Sequence, residues 1–351
     1  MEAMEELGAV LDTPAPVVSL DEAAALARDA FGLAAEATPL AGERDRNIHL
    51  RAADGREYAL RVINPAEPAE VSDFQSRALL HLAEAAPDLP VPRLHAPLSG
   101  DAPEALWTPA GGGAPCRVRL LDYLPGRPLH LAAPSPAQRA ALGAMLARLD
   151  LAFAGYRHAA EGHELMWDIQ RALKLRPLVA HLPGPDDRAL AESVLERFER
   201  HALPLLPGLR PQVIHNDFNP HNILTDPEDD RRITGIIDFG DMVRAPMVQD
   251  LATAAAYQVA AEGHPLEGPA QLARAYHALC PLWPEEVEIL ADLIATRLAV
   301  AVTISGWRAA KQPENAPYIL RNYPRSLSGL RRLGALSRAE AQSYLRKALN
   351  A

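Results

Sequence analysis

The stretch His215-Asn-Asp217-Phe-Asn-Pro-His221-Asn222, with Asp238 sixteen residues further on in Ile236-Ile-Asp238-Phe-Gly-Asp241, decides how the rest of the chain reads. Gln212-Val-Ile-His215 reads as a short strand entering a loop, and Asn222–Thr225 and Ile233–Phe239 as β-rich runs joined by the turn-forming Asp226–Arg232. Folding that hairpin back brings Asp238 near Asn222. An Asp, an Asn five positions on and a second Asp are what phosphoryl transfer to a hydroxyl requires. One carboxylate orients the hydroxyl and takes its proton, while the amide and the other carboxylate hold a magnesium ion against the nucleotide phosphates. Turn chemistry alone explains any one of the three. It does not explain all three at this spacing on a strand–loop–hairpin frame.

Outward from this stretch the chain divides into strands first and helices later. Ser19-Leu-Asp-Glu22 has capping-box spacing and opens an Ala/Leu-rich helix to Phe31. Ile48–Arg51 and Tyr58–Ile63 read as strands paired across Asp54-Gly55, and 71–85 as a helix. Ala105–Thr108 and Arg117–Tyr123 are further strands, with Gly111-Gly-Gly113 the hairpin tip between them. Helical patterns follow over 136–156, 167–179, 186–203, 248–261, 270–279 and 284–305. The predicted fold is α+β and two-lobed: an antiparallel-sheet lobe over 1–123 and a mainly helical lobe over 124–351 that carries the catalytic loop. Clefts between such lobes are favoured sites for small molecules.

Composition narrows the partners. A net charge of −10 argues against nucleic acid or an anionic membrane surface, and 48 % hydrophobic residues suffice for a large core. Cys116 and Cys280 form neither a disulfide framework nor a metal spacing, which fits a reducing cytoplasm, and both read as core fillers. Glu2, Glu5 and Glu6 without a basic segment argue against a secretory signal. Ile294–Ile304 contains Arg297 and is too short to span a membrane, so it reads as a core helix. The thirty-two prolines, about twice the usual share, are scattered among periodic segments and imply stiffened loops.

His-x-Asp-x-x-x-x-Asn followed by Ile-Asp-Phe-Gly-Asp resembles the catalytic core of the aminoglycoside phosphotransferase family, small-molecule relatives of the protein kinases. The resemblance is greatest to its hydroxylysine kinase branch and to similar bacterial domains fused to class III aminotransferases. Leu40–Asn47, Asp54–Pro68, Leu89–Pro92, Arg119–Pro128, Trp167-Asp168 and Asp238–Met242 share it, so that it extends over residues 15–335. With no aminotransferase segment in the sequence, the expectation is the stand-alone form. The resemblance implies a protein-kinase-like fold, Mg²⁺, ATP or GTP as donor, and a small hydroxylated amine or amino acid as acceptor.

Residues fall into roles accordingly. Asp217 is the expected base, and His215 the brace of its loop rather than a proton carrier. Asn222 and Asp238 are the magnesium ligands, while Asp241 either lies near metal or substrate ammonium or serves the turn. Asp250 reads as a helix cap or a brace of the catalytic loop. The resemblance places Arg61 where related kinases carry a lysine against the phosphates, a departure that changes a point charge into a fork. The following helix offers Glu70, Asp73 and Gln75 as its partner. Gly42, Arg46 and Asn47 mark the phosphate-covering loop, and Asp122-Tyr123-Leu124 the hinge that receives the base. Trp167, Asp168 and Arg297 suit an amino-acid acceptor, or else serve as core, helix cap and buried ion pair. Asn315 and Tyr318 are weaker acceptor candidates, and His221 has no assigned role.

The best acceptor is 5-hydroxylysine, with aminoglycoside, choline, ethanolamine and homoserine-type acceptors open. Two other classes stand beside it: a nucleotide-binding pseudokinase, suggested by Arg61, and a metallohydrolase on His215, Asp217, His221 and Asp238. The second has only two imidazoles where zinc favours a compact cluster.

Overall fold

Ser19 starts the first element as its spacing predicts. Its hydroxyl accepts the Glu22 N–H at 3.2 Å, and the Glu22 carboxylate accepts the Ser19 N–H at 3.0 Å, capping α1 (Leu20–Phe31). The computed structural model describes residues 13–42, 44–100 and 102–350. Glu2, Glu5 and Glu6, and Glu43 of the expected phosphate loop, lie outside the described residues.

An antiparallel six-stranded sheet follows: β1 (Ala35–Pro39), β2 (Arg46–Ala52), β3 (Glu57–Val62), β4 (Leu94–His95), β5 (Ala105–Trp107) and β6 (Cys116–Asp122). Its order is β1-β2-β3-β6-β4, with β5 also on β6. Gly55, at φ +84°, makes the β2–β3 turn, where a side chain would be strained. In β3 the residues Tyr58, Leu60 and Val62 point into a core shared with Ile48, Leu50, Val118, Leu120 and the α1 residues Ala23, Leu26 and Ala27. Strand alternation therefore sends Arg61 to the opposite face, paired in register with Asn47 on one side and Arg119 on the other.

On that second face lies α2 (Ala69–Ala85), joined to the sheet by a buried polar network. Arg119 donates to Glu104 (2.7 Å), to the Ser72 hydroxyl (2.8 Å) and to the Gln75 side-chain oxygen (3.0 Å). Ser72 and Ser76 each donate to the same Glu104 oxygen at 2.6 Å. The expected lobe boundary at 123/124 differs from the observed division. The first compact unit runs to Gly126 and also takes in 156–163 and 234–240. The Tyr156 hydroxyl donates to Phe74 O (2.7 Å), and Ile236 N to Pro90 O (2.8 Å), which ties both returning segments to this unit.

The second unit holds β7 (Arg127–Pro128), α3 (Pro136–Ala152), α4 (Pro185–Arg197), β8 (Pro211–Ile214) and β9 (Ile223–Thr225). Past β10 (Ile233–Ile236), most of which falls in the first unit, come β11 (Val243–Pro246), α5 (Met247–Ala256), α6 (Glu267–Leu279) and α7 (Pro284–Lys311). Next is α8 (Ala316–Ile319), and α9 (Tyr323–Gly334) and α10 (Arg338–Leu349) end the chain. The 226–232 turn closes as read, Asp226 N donating to Arg232 O at 2.9 Å. Four readings need correction. The segment predicted as a helix over 167–179 is a 3₁₀ helix, Ile169–His181, with Pro177 inside it removing an α-helical donor. The 248–261 helix stops at Ala256, and 284–305 continues to Lys311. Strand β11, which pairs antiparallel with β8, had no signal of its own. The 294–304 segment is buried inside α7, and among the described residues no helix is long and apolar enough to cross a membrane. Cys116 and Cys280 are buried free thiols, and burial raises both pKa values, which keeps them unreactive.

Truncating Glu104 to alanine strands the Arg119 guanidinium without its carboxylate. The expected cost is about 3–5 kcal/mol, read as a lowered urea midpoint at unchanged slope. A shift within error of wild type would show that the network does not hold α2 to the sheet.

Candidate active site

Strand β8 delivers the chain to a turn that regular secondary structure does not hold. Asp250, in the first turn of α5, holds it instead, accepting His215 N–H at 2.9 Å and Asn216 N–H at 2.8 Å. Asn216 lies at φ +62°, a left-handed conformation that non-glycine residues rarely adopt. Its side chain is pinned on both ends, donating to Asp241 O (3.1 Å) and accepting from Gln249 (3.0 Å). His215 is fully buried, and its Nδ1 accepts the Asp217 N–H at 3.2 Å, so the ring lies under the backbone of the residue it precedes.

Asp217 is thereby aimed, and its carboxylate is gripped from two sides. Oδ2 accepts Asn222 Nδ2 (2.7 Å) and Asn219 Nδ2 (2.9 Å), while Oδ1 accepts Arg297 Nη2 (3.1 Å). Arg297 is 1 % exposed, donates to Trp167 O (2.9 Å), and has its guanidinium 5.3 Å from the Trp167 ring centroid. Burial works against the Arg297 charge, but Tyr257, Asp217 and Asp241 outweigh it and raise the pKa. The second unit thus gathers Asp217, Asp241, Arg297, Trp167 and Tyr257. Sequence reasoning did not find Tyr257, a lone tyrosine after an alanine run. Asp168, 1 % exposed, caps the 3₁₀ helix through Gln170 N (3.0 Å) and accepts from Gln249 (2.9 Å). Burial raises its pKa. His221 stacks on His130 with centroids 4.0 Å apart and hydrogen-bonds Asn322 (2.9 Å), while Tyr318 lies under Arg321.

In the first unit Arg61, on the sheet face that also carries α2, is paired with two carboxylates. Its Nε donates to Asp45 (2.5 Å) and its Nη1 to Asp238 (3.1 Å). Burial opposes the charge, yet the two acids hold the guanidinium pKa above its ordinary value. None of the three partners offered by α2 fills this role. Glu70 is exposed, Asp73 pairs with Arg77 and His158, and Gln75 donates to Gly240 O (3.0 Å). The partner is Asp45, which sequence reasoning missed because the acid precedes β2 rather than lying on the following helix. Asp238, at φ +62°, leads into a turn flanked by two guanidiniums. A Cβ on Gly240 would stand 3.3 Å from Arg44 Nη2 and 3.5 Å from Arg61 Nη2. Gly42 is closely approached as well, since a Cβ there would meet Asn47 Nδ2 and Asp45 O at 2.6 Å. Arg46 and Asn47 open β2, and Asn47 closes the loop onto Ala41 O (3.3 Å). At the hinge the Asp122 and Tyr123 N–H groups are taken by Arg93 O and Glu57 O, and Asp122 also pairs with His95 (2.7 Å).

The donors suit magnesium chemically. Asn222 commits its amide nitrogen to Asp217, which leaves the carbonyl oxygen to offer a cation, and Asp238 is a half-exposed carboxylate. Among the described residues no group of three or more His, Cys, Asp or Glu is assembled to hold a metal, as the zinc hydrolase reading requires.

Burial raises the Asp45 pKa, but Arg61, the Asn64 N–H and Arg44 together bring it below 3.8. Its contribution is full above that ordinary value and is lost as pH falls through the depressed folded-state value. Asp45→Asn should therefore cost about 2 kcal/mol at neutral pH, with wild type and variant converging in acid. Denaturant titrations at several pH values check this, and a pH-independent gap would remove the ion pair as its cause.

Residues 36–288, well over half of the chain, match the family described as APH, phosphotransferase enzyme family. Hydroxylysine kinase of Danio rerio is 26 % identical over 337 residues, covering 93 % of this chain and 94 % of that one. The microcompartment-associated aminopropanol kinase superposes with a TM-score of 0.70 at 17 % identity, covering 94 % and 99 % of the two chains. Amicoumacin kinase, solved with AMP-PNP and Ca²⁺, gives 0.61 at 13 % identity over 87 % and 91 %. The fold is the kinase-like α+β fold of these structures, and the chain belongs to the phosphotransferase enzyme family.

Proposed function

We propose that this phosphotransferase moves the γ-phosphoryl group of a nucleoside triphosphate to the hydroxyl of a small amino alcohol or hydroxylated amino acid, with 5-hydroxylysine the first candidate. The hold on Asp217 carries the reading: a carboxylate fixed by Arg297 on one oxygen and by two amides on the other cannot rotate away. It presents a defined acceptor to an incoming hydroxyl. A carboxylate is a weak base for an alcohol, so Asp217 orients the hydroxyl and receives its proton late, and positioning supplies most of the acceleration.

Asn222 and Asp238 would hold Mg²⁺, which neutralises phosphate charge when bound. Arg61 and its neighbour Arg44 serve the phosphates, with Gly42, Arg46 and Asn47 shaping the loop that covers them. With the first two hinge N–H groups committed internally, the base is received by Leu124 and the carbonyls of Asp122 and Tyr123. His215 acts through the backbone of Asp217. Trp167 and Asp241 suit a substrate ammonium, an aromatic face beside a carboxylate. Asp168 and Arg297, both buried, act by shaping that group. The hydroxylysine kinase and the aminopropanol kinase act on amino alcohols by their names, and the amicoumacin kinase was solved with a nucleotide analogue and a divalent cation, which supports acceptor class and donor alike.

An acceptor screen with ATP and with GTP, using Asp217→Asn as control, tests the reading. The variant should lose about 10²-fold or more in kcat. A screen in which no amino alcohol exceeds that control would overturn the acceptor class. Arg61→Ala should raise the nucleotide KM about tenfold, the effect of one lost charge-assisted contact. Full activity and unchanged nucleotide affinity in that variant would remove Arg61 from the phosphate site.

A further inference from the structure

Between β3 and α2 the chain turns on one asparagine whose polar groups are all committed. Asn64 is 1 % exposed. Its Oδ1 accepts the Ala66 N–H at 2.9 Å and its carbonyl oxygen the Glu67 N–H at 2.9 Å, which is ordinary turn chemistry. The other two groups reach beyond the turn. The Asn64 N–H donates to Asp45 Oδ1 at 2.9 Å, and the amide nitrogen lies 3.0 Å from Arg44 O, 3.1 Å from Thr13 O and 3.2 Å from Pro14 O. Three backbone segments of the first unit therefore meet on one residue.

Arg44 and Asp45 are what that residue holds. Asp45 passes the constraint to Arg61 through its 2.5 Å bond to Nε. Arg44 and Arg61 reach one place, since a Cβ on Gly240 would stand 3.3 Å from the first guanidinium and 3.5 Å from the second. Two guanidiniums gathered at one point repel each other, so the backbone has to impose their approach. The local turn needs only the Oδ1 of Asn64. Nothing in the turn itself requires the amide nitrogen to meet Arg44 O, twenty residues earlier.

We propose that Asn64 is a positioning residue for the nucleotide phosphates: its side-chain amide fixes the backbone from which Arg44 and Asp45 project, and so the spacing of Arg44 and Arg61. This rests on the reading of those two arginines as the phosphate site. Hydrogen-bond chemistry sets the direction. An amide nitrogen facing carbonyl oxygens is a donor in its place, whereas a carboxylate oxygen there is an acceptor facing acceptors, buried and unpaired. Asn64→Asp therefore keeps the size of the side chain and its contact with the Ala66 N–H, and inverts the group that meets Arg44 O. Repulsion then moves the backbone at Arg44 away from the turn, and the guanidinium with it.

Equilibrium binding of ATP, GTP and inorganic tripolyphosphate, each with Mg²⁺, tests this without turnover, so a failed acceptor screen leaves it intact. Asn64→Asp and Asn64→Ala should each weaken all three about tenfold and by one common factor, because the arginines meet phosphate and not the base. In steady state the nucleotide KM should rise at unchanged acceptor KM. An asparagine that serves only the turn lowers the urea midpoint of unfolding and leaves affinity alone. A double-mutant cycle gives the second check: with Arg44 already replaced by alanine, Asn64→Ala should cost less than about twofold more. Effects that multiply in the double variant overturn the inference. Unchanged affinity in both Asn64 variants, with a fall in Arg44→Ala, overturns it and leaves the phosphate reading standing. Unchanged affinity in Arg44→Ala overturns it together with that reading of Arg44. Should Asn64→Asp fail to fold, Asn64→Ala, which introduces no charge, carries both the titration and the cycle.

Discussion

A carboxylate that accepts two consecutive backbone N–H groups does what neither helix nor sheet does at the end of β8: it satisfies donors in a loop buried away from water. Unpaired, each buried N–H would cost about 1–3 kcal/mol, and Asn216 would relax from its left-handed conformation. Asp250 prevents both. Everything chemical in the second unit follows from that hold. His215 can lie beneath the Asp217 amide because its own N–H is fixed, and Asp217 can be gripped by Arg297 and two amides because its backbone does not move.

The first unit meets a different constraint, that of holding a largely buried guanidinium without leaving it unpaired. Arg61 is larger than the lysine of related kinases and always charged, so it cannot neutralise itself when burial disfavours it. Asp45 and Asp238 compensate that charge, and Asp45 is in turn fixed by the Asn64 N–H at 2.9 Å. Arginine therefore brings with it an acid that the helix α2 does not need to supply. Gln75 on that helix instead bridges Arg119 and Gly240 O.

What was legible in the sequence was local. The capping box at Ser19, the Gly55 hairpin, the tip at 111–113 and the 226–232 turn each depend on residues within a few positions of one another, and each formed as read. The 3₁₀ run over Ile169–His181 was misread because apolar spacing records a buried face but not which hydrogen bonds Pro177 removes. Asp45, Tyr257 and Asp150 were invisible for a further reason. Their partners lie 16 to 126 residues away, and nothing in a residue's own neighbourhood states which distant cation or hydroxyl will face it.

The residues of the loop and those that support it differ in the same way. Asp217 and Asn222 could be read together because they lie five residues apart, whereas Asn219, which also holds Asp217, was not singled out. Arg297 could be named but not placed, since a buried arginine on a late helix serves a ligand carboxylate and a protein carboxylate equally well by charge. Geometry decides between them: one Nη is on Asp217, the other on Trp167 O, and little of the fork is left for a substrate. An amino-acid acceptor would then have to find its carboxylate partner elsewhere, whereas an amino alcohol needs none.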